Sequence, residues 1–237
     1  MSHPTLRRIA VWSGLLRLSH WAMTLLVVAL LLTGLLTKVA PGLAAAARDY
    51  HYMAGHVLLA VFFLRIYLLF FGRKTDLLQA LVPGRLELRG AWAMLKFYLT
   101  LGKSPLPKWF AHNPLWMPIY LVFFLALLLQ MITGLSYTSG AVFLPETTQD
   151  LHAAGARVVL GFAVIHTLAA FWHDWKGASA DVSAMINGHR IFPIEKPQPS
   201  FGVQRAIEQG TAYANRTPGN PRSESSDTVD PATPPPN

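Results

Sequence analysis

Cysteine is absent from all 237 residues. That excludes disulfides, thiolate iron-sulfur clusters, a cysteine zinc site, a thiol nucleophile and the thioether attachment of a c-type haem. Any metal or redox centre has to be held by His, Met or carboxylate. Charge is also scarce: charged residues make up 14% of the chain, roughly half the share of an ordinary soluble domain. There is no Gly-rich phosphate loop, no Ser-His-Asp or paired-carboxylate pattern in a convincing context, and no repeat of fixed period. These absences leave catalysis by the chain alone unsupported, and whether it is an enzyme in its own right stays open.

Long apolar runs are abundant, with 52% of residues hydrophobic. Residues 18–37 form a stretch of twenty without a formal charge, enough to cross about 30 Å of hydrocarbon as a helix. Further spans are expected at about 50–72, with Arg65 inside, at 114–135, and at 151–173, with Arg157 inside. The first run is too long for a signal peptide. The expected fold is an all-α membrane protein, a four-transmembrane-helix bundle occupying residues 1–192. From Pro197 onward eight prolines fall among Ser, Thr, Asn and charged residues, so residues 193–237 are expected to be a disordered cytoplasmic tail. Leu86 to Thr100, with Trp92, Leu95 and Phe97 among Arg89 and Lys96, reads as a helix lying in the membrane interface or as an ordinary connector.

The net charge of +8 would suggest nucleic acid as a partner if it were spread over a soluble surface. Its distribution argues otherwise. Sixteen Lys and Arg fall before the first span, between Arg73 and Lys108, or after the last span, whereas the opposite loops carry only Lys38 and Arg48. By the positive-inside tendency, both termini and the middle loop are cytoplasmic, with loops 39–49 and 136–150 outside. The surplus is a topology signal, and nucleic acid is not an expected partner; membrane lipid is.

Ionisable side chains are costly in a membrane span unless they serve a function, yet His20, His51, His56, His152 and His166 lie in or at the ends of spans. His152 and His166 are fourteen residues apart, about 40° short of whole turns and roughly 21 Å along a helix axis. They therefore point the same way from opposite membrane edges. His20 falls level with His166, and His51 or His56 level with His152. One span supplies two ligands and two others supply one each, at two heights. This suits two stacked, non-covalent haem b groups, each held between two imidazoles inside a four-helix bundle. His51 and His56 are about 140° apart around their helix, so only one faces a haem. Symmetry with His152 and the fourteen-residue relation to Arg65 favour His51.

Gly34, Gly55 and Gly155 fall on or near the ligand faces, where a missing side chain would admit a flat macrocycle; helix packing explains them equally. Arg65 and Arg157 are candidate partners for haem propionates, with snorkelling to headgroups the plainer reading for Arg157. His112 and Asn113, before the third span, are candidate quinone contacts, although Asn before Pro114 also suits a helix start. His3, His173 and His189 read as surface residues.

Val11-Trp12 with Arg17-Leu18-Ser19-His20-Trp21, then His51-Tyr-Met-Ala-Gly55 leading to Arg65-Ile66-Tyr67, then His112-Asn113-Pro114-Leu115, then His152 to His166, and finally Met185-Ile-Asn-Gly188-His-Arg190, form an ordered set. Over about residues 8 to 192 it resembles the b-type cytochrome subunit of membrane-bound nickel-iron hydrogenases. The resemblance implies a dihaem cytochrome b that passes electrons from a periplasmic hydrogenase's iron-sulfur subunit to membrane quinone. It further implies His20 and His166 as ligands of the cytoplasmic-side haem, and His51 and His152 as ligands of the periplasmic-side one. Loop 136–150 is shorter than expected for that subunit. Related cytochromes b of formate dehydrogenase, thiosulfate reductase or stand-alone quinol oxidation therefore remain alternatives, as does a haem-free membrane anchor. The oligomeric state is open.

Overall fold

The computed structural model describes residues 5–139, 145–177 and 181–194. The expected disordered tail begins at 193, and all but its first two residues lie outside the described set, as do His3 and part of the expected loop 136–150. The folded body, residues 5–193, is built on four long helices: α1 (Gly14–Val39), α2 (Ala44–Phe71), α4 (Trp116–Ser139) and α5 (Pro145–Lys176). All four are long and apolar enough to cross a membrane. Between α2 and α4 lies α3 (Arg85–Leu99), and after α5 comes the short α6 (Asp181–Asn187). The chain is an all-α membrane protein of the expected four-span class. Its spans run a few residues past most of the expected bounds, because helix continues through the polar margins that hydropathy alone discounts.

Local chemistry explains the helix ends. Ser13 caps α1, its hydroxyl accepting from the Leu16 N–H at 3.1 Å, which satisfies one of the orphan donors of a helix start. At the other end the Ala40 N–H still bonds to Leu36, and Pro41 then opens a single 3-10 turn, Pro41–Leu43, that reverses the chain into α2. Helix α2 stops at Gly72, where a Cβ would lie 2.4 Å from the Leu68 carbonyl oxygen and 2.6 Å from the Asp76 Cβ. Only glycine permits that approach. Helix α3 buries Met94 and Phe97 and leaves Leu86, Trp92 and Leu99 exposed, the two-faced character expected of a helix lying along an interface.

Midway along the bundle, Met23 and Val27 of α1, Leu58 and Phe62 of α2, Leu127 and Met131 of α4 and Val159 of α5 form one buried cluster. The outer faces carry exposed large side chains such as Leu25, Leu32, Phe63, Leu125 and Leu168. A water-soluble bundle would hide these residues, whereas a membrane solvates them.

One element was not anticipated. Strands β1 (Thr5–Ala10) and β2 (His189–Ile194) pair as a two-stranded sheet at one end of the bundle. We call this the strand end and the opposite one the hairpin end. At the strand end the Gly188 carbonyl accepts from the N–H groups of Val11 and Trp12 at 2.8 and 3.1 Å. The Arg17 guanidinium donates to the Ile186 carbonyl, and the Trp21 indole donates to the Met185 carbonyl at 3.0 Å. The first and last segments that carried the family resemblance thus bind each other.

Candidate haem centres

The structure brings the membrane histidines together in two pairs at two heights. At the strand end the rings of His20 on α1 and His166 on α5 have centres 6.4 Å apart. At the hairpin end those of His51 on α2 and His152 on α5 are 6.2 Å apart. An imidazole nitrogen sits about 2 Å from a bound first-row metal and its ring centre roughly 1 Å further back, so two imidazoles sharing one ion have centres about 6 Å apart. Both pairs match that spacing. Among the described residues no three His, Asp or Glu side chains gather into a metal site of their own. Each pair offers two donors, which fits a group that brings its own equatorial ligands, as haem does.

At the hairpin end both rings are anchored through Nδ1. His51 Nδ1 lies 3.0 Å from the Thr33 hydroxyl, and His152 Nδ1 lies 2.8 Å from that of Thr133. A ring bonded through Nδ1 presents Nε2 to its partner across the gap. His56 is exposed, and its Nδ1 is spent on the Tyr52 carbonyl of its own helix at 2.8 Å. The structure therefore pairs His51, and not His56, with His152.

At the strand end the surroundings differ. His20 Nδ1 is buried without a hydrogen-bond partner. His166 stands among Trp116, Tyr120 and Phe162, with ring centres 5.4, 5.8 and 5.4 Å away.

The supporting glycines behave in three ways. Gly34 lies beside the His51 ring, where an added Cβ would make an ordinary contact at 3.4 Å with Cε1. Gly55 faces open space, and Gly155 is covered by Gln130, whose Oε1 would be 2.5 Å from an added Cβ. Arg65 is buried, donates to the Asp76 carbonyl at 3.3 Å and lies over the Phe124 ring at 5.3 Å. Arg157 is exposed on α5.

Asn113 caps α4: its Oδ1 accepts from the Leu115 N–H at 3.0 Å and its carbonyl accepts from Trp116. Its amide nitrogen and the neighbouring His112 Nδ1 are buried without partners. His112 sits edge-on to Trp12 at 4.9 Å and reaches Tyr120 at 6.2 Å, one ring away from His166. Burial, reinforced by the charge of Arg65, pushes the His112 pKa down to about 4, so this imidazole is neutral at physiological pH.

Sequence reasoning missed a buried polar group beside this end. His173, read as a surface residue, is 4% exposed. Its Nε2 lies 2.7 Å from the Tyr98 hydroxyl, which also accepts from the Trp116 indole at 2.9 Å. Burial pushes the Tyr98 phenol up to about 12 against the opposing Trp116 donor. Asp181 lies 3.8 Å from His173 Nδ1 and 2.6 Å from Arg190, whose guanidinium also donates to the carbonyls of Trp109 and Phe110. The sequence sign of this cluster was the Asn187-Gly188-His189-Arg190 segment, which entered only through the family resemblance and not through hydropathy.

Comparison with known proteins gives the family. The profile of the prokaryotic cytochrome b561 family matches residues 11–188. The probable Ni/Fe-hydrogenase 1 B-type cytochrome subunit of Escherichia coli K12 is 26% identical, over 78% of this chain and 92% of its own length. The probable Ni/Fe-hydrogenase B-type cytochrome subunit of Azotobacter vinelandii is 27% identical over 80% and 91%. That of Rhizobium leguminosarum bv. viciae is 30% identical over 78% and 89%. With its four membrane-length helices and a family match that covers most of the folded body, the chain belongs to the prokaryotic cytochrome b561 family.

Proposed function

We propose that this protein conducts single electrons across a bacterial inner membrane, between a periplasmic oxidoreductase and the quinone pool, with a nickel-iron hydrogenase as the partner. Its relatives bear the name of hydrogenase-associated b-type cytochrome subunits, which supports membrane electron transfer by a b-type cytochrome. The observation that carries the finer reading is the pairing of four histidines at two heights, at 6.4 and 6.2 Å.

His20 with His166, and His51 with His152, would each hold one haem b through Nε2. Haem bound between two imidazoles supplies one-electron chemistry and leaves no iron position for oxygen. The residues of the chain do the rest. The four spans fix the ligands at two depths, about 21 Å apart along α5, and the cluster of Met23, Val27, Leu58, Phe62, Leu127, Met131 and Val159 keeps water from the space between. Lacking cysteine, the chain has no thiolate for an iron-sulfur cluster, so electrons have to arrive from a partner subunit. Arg65, at the strand end, would meet an anionic propionate; the exposed Arg157 would do so at the hairpin end or reach the headgroups instead.

The basic residues on one side support placing the strand end and both termini in the cytoplasm. Quinone would then meet the chain near His112 and Asn113. Asn113 serves as cap through its oxygen and still offers its amide N–H, and His112 offers Nδ1, to a quinone carbonyl. Purification in mild detergent tests the whole reading. Two haems b per chain by pyridine haemochrome, a co-purifying hydrogenase and reduction of both haems by hydrogen are expected. A haem-free preparation would make the chain an anchor. Quinol turnover without a partner would favour a stand-alone oxidoreductase.

A further inference from the structure

The bundle contains the same ligand seat twice. Thr33-Gly34 on α1 faces His51 on α2, and Thr133-Gly134 on α4 faces His152 on α5. Each threonine back-bonds into its own helix: Thr33 donates to the Ala29 carbonyl at 2.7 Å and Thr133 to the Leu129 carbonyl at 2.8 Å. With Nε2 on iron, each imidazole would carry its proton on Nδ1 and donate it to the threonine oxygen, at 3.0 and 2.8 Å, with the Leu30 and Gln130 carbonyls as further acceptors beside His51 and His152. Each following glycine lies beside the ring in the same way, since a Cβ on Gly34 or Gly134 would make an ordinary van der Waals contact, at 3.4 Å, with Cε1 of His51 or His152. In sequence the seats appear as Thr-Gly-Leu followed by Asp-x-His, at 33–35 with 49–51 and at 133–135 with 150–152. The other pair lacks this device on at least one side, for His20 Nδ1 is buried without an acceptor.

We propose that Thr33 and Thr133 are positioning residues for the axial histidines of the hairpin-end haem: they fix the tautomer in which Nε2 is free and set the two haems at different reduction potentials. The proposal rests on the haem reading above. An acceptor at Nδ1–H raises the electron density at Nε2, which favours ferric over ferrous iron. The hairpin-end haem, with two such acceptors, is therefore the lower-potential one as far as ligand hydrogen bonding decides the order.

Redox titration of the full chain in detergent, followed by the haem absorption bands and by low-spin ferric EPR, tests this in Thr33→Val, Thr133→Val, the double Val variant and the matching Ser variants. Removing the acceptors should shift one haem toward ferrous. At that haem's wild-type midpoint, the double Val variant should change the ferrous-to-ferric ratio by up to about tenfold, each single variant by less, and the EPR signal of that haem should move. The second haem should titrate as before, and Ser, which keeps the hydroxyl, should restore wild-type behaviour. If the double variant sheds haem, loss of the hairpin-end haem alone, with retention in the Ser variants, also supports the proposal. Unchanged potentials and EPR in the Val variants, equal shifts in both haems, or Ser behaving like Val would overturn it. Wild-type protein without two haems would instead defeat the haem reading itself, before any variant is made.

Discussion

The Gly188 carbonyl accepts the Val11 N–H at 2.8 Å, so the residue that follows α6 closes the chain onto the segment that leads into α1. Around this bond the Arg17 guanidinium reaches the Ile186 carbonyl and the Trp21 indole the Met185 carbonyl. His20 lies between Arg17 and Trp21 in the chain. The latch therefore fixes the start of α1, and with it the height of one candidate axial ligand, against the segment that follows α5, which carries the other.

Gly188 holds φ at +82°, and a Cβ there would lie 3.1 Å from the Trp12 carbonyl oxygen and 3.3 Å from Arg17 Nε. Gly188→Ala should cost about 1–2 kcal/mol through the left-handed backbone alone, with crowding added. Thermal melting in detergent should show the loss, and Gly188→Asn should be milder, since Asn tolerates that conformation better. An unchanged melting temperature in Gly188→Ala would mean that the latch does not stabilise the fold.

His51 and His56 are separated by their surroundings as well as by their angle. His51→Leu should abolish one of two low-spin haem signals, and His56→Leu should leave both, as read by EPR of the ferric protein. The reverse result would assign the ligand to the exposed ring.

A reporter fused at the C-terminus should be active only in the cytoplasm, because sixteen basic residues lie on that side against two on the other. A reporter active in the periplasm would exchange the heights of the two centres and move the quinone candidates outside.

The His112 imidazole, with its pKa pushed down to about 4 by burial and by Arg65, makes folding sensitive to acid. In the unfolded chain His titrates near 6.5. Between roughly pH 6.5 and 4 the unfolded state therefore binds a proton that the folded state refuses, and stability falls as pH falls through that window. Melting temperatures at pH 7.5 and pH 5 should differ less in His112→Gln than in the parent. An equal difference would show that the His112 proton does not control the transition.

Much of this protein was determined by local sequence. A helix crossing a membrane has to satisfy every backbone group internally, so runs of about twenty apolar residues already specify four spans, and the 3.6-residue period specifies which side chains share a face. His152 and His166 on one face of α5, and the opposed directions of His51 and His56, follow from counting alone. What counting could not reach are the relations between elements distant in the chain. Strand β1 is too short and too charged to read as a strand, and it forms only because β2 returns beside it. His173 looks like a polar helix end until α3 brings Tyr98 to within 2.7 Å of it. The doubled Thr-Gly seat escaped as a repeat because its two halves match at only a few positions. Each threonine gains its meaning from an imidazole on the neighbouring helix, and only packing decides which threonine hydroxyl lies within a hydrogen bond of which ring.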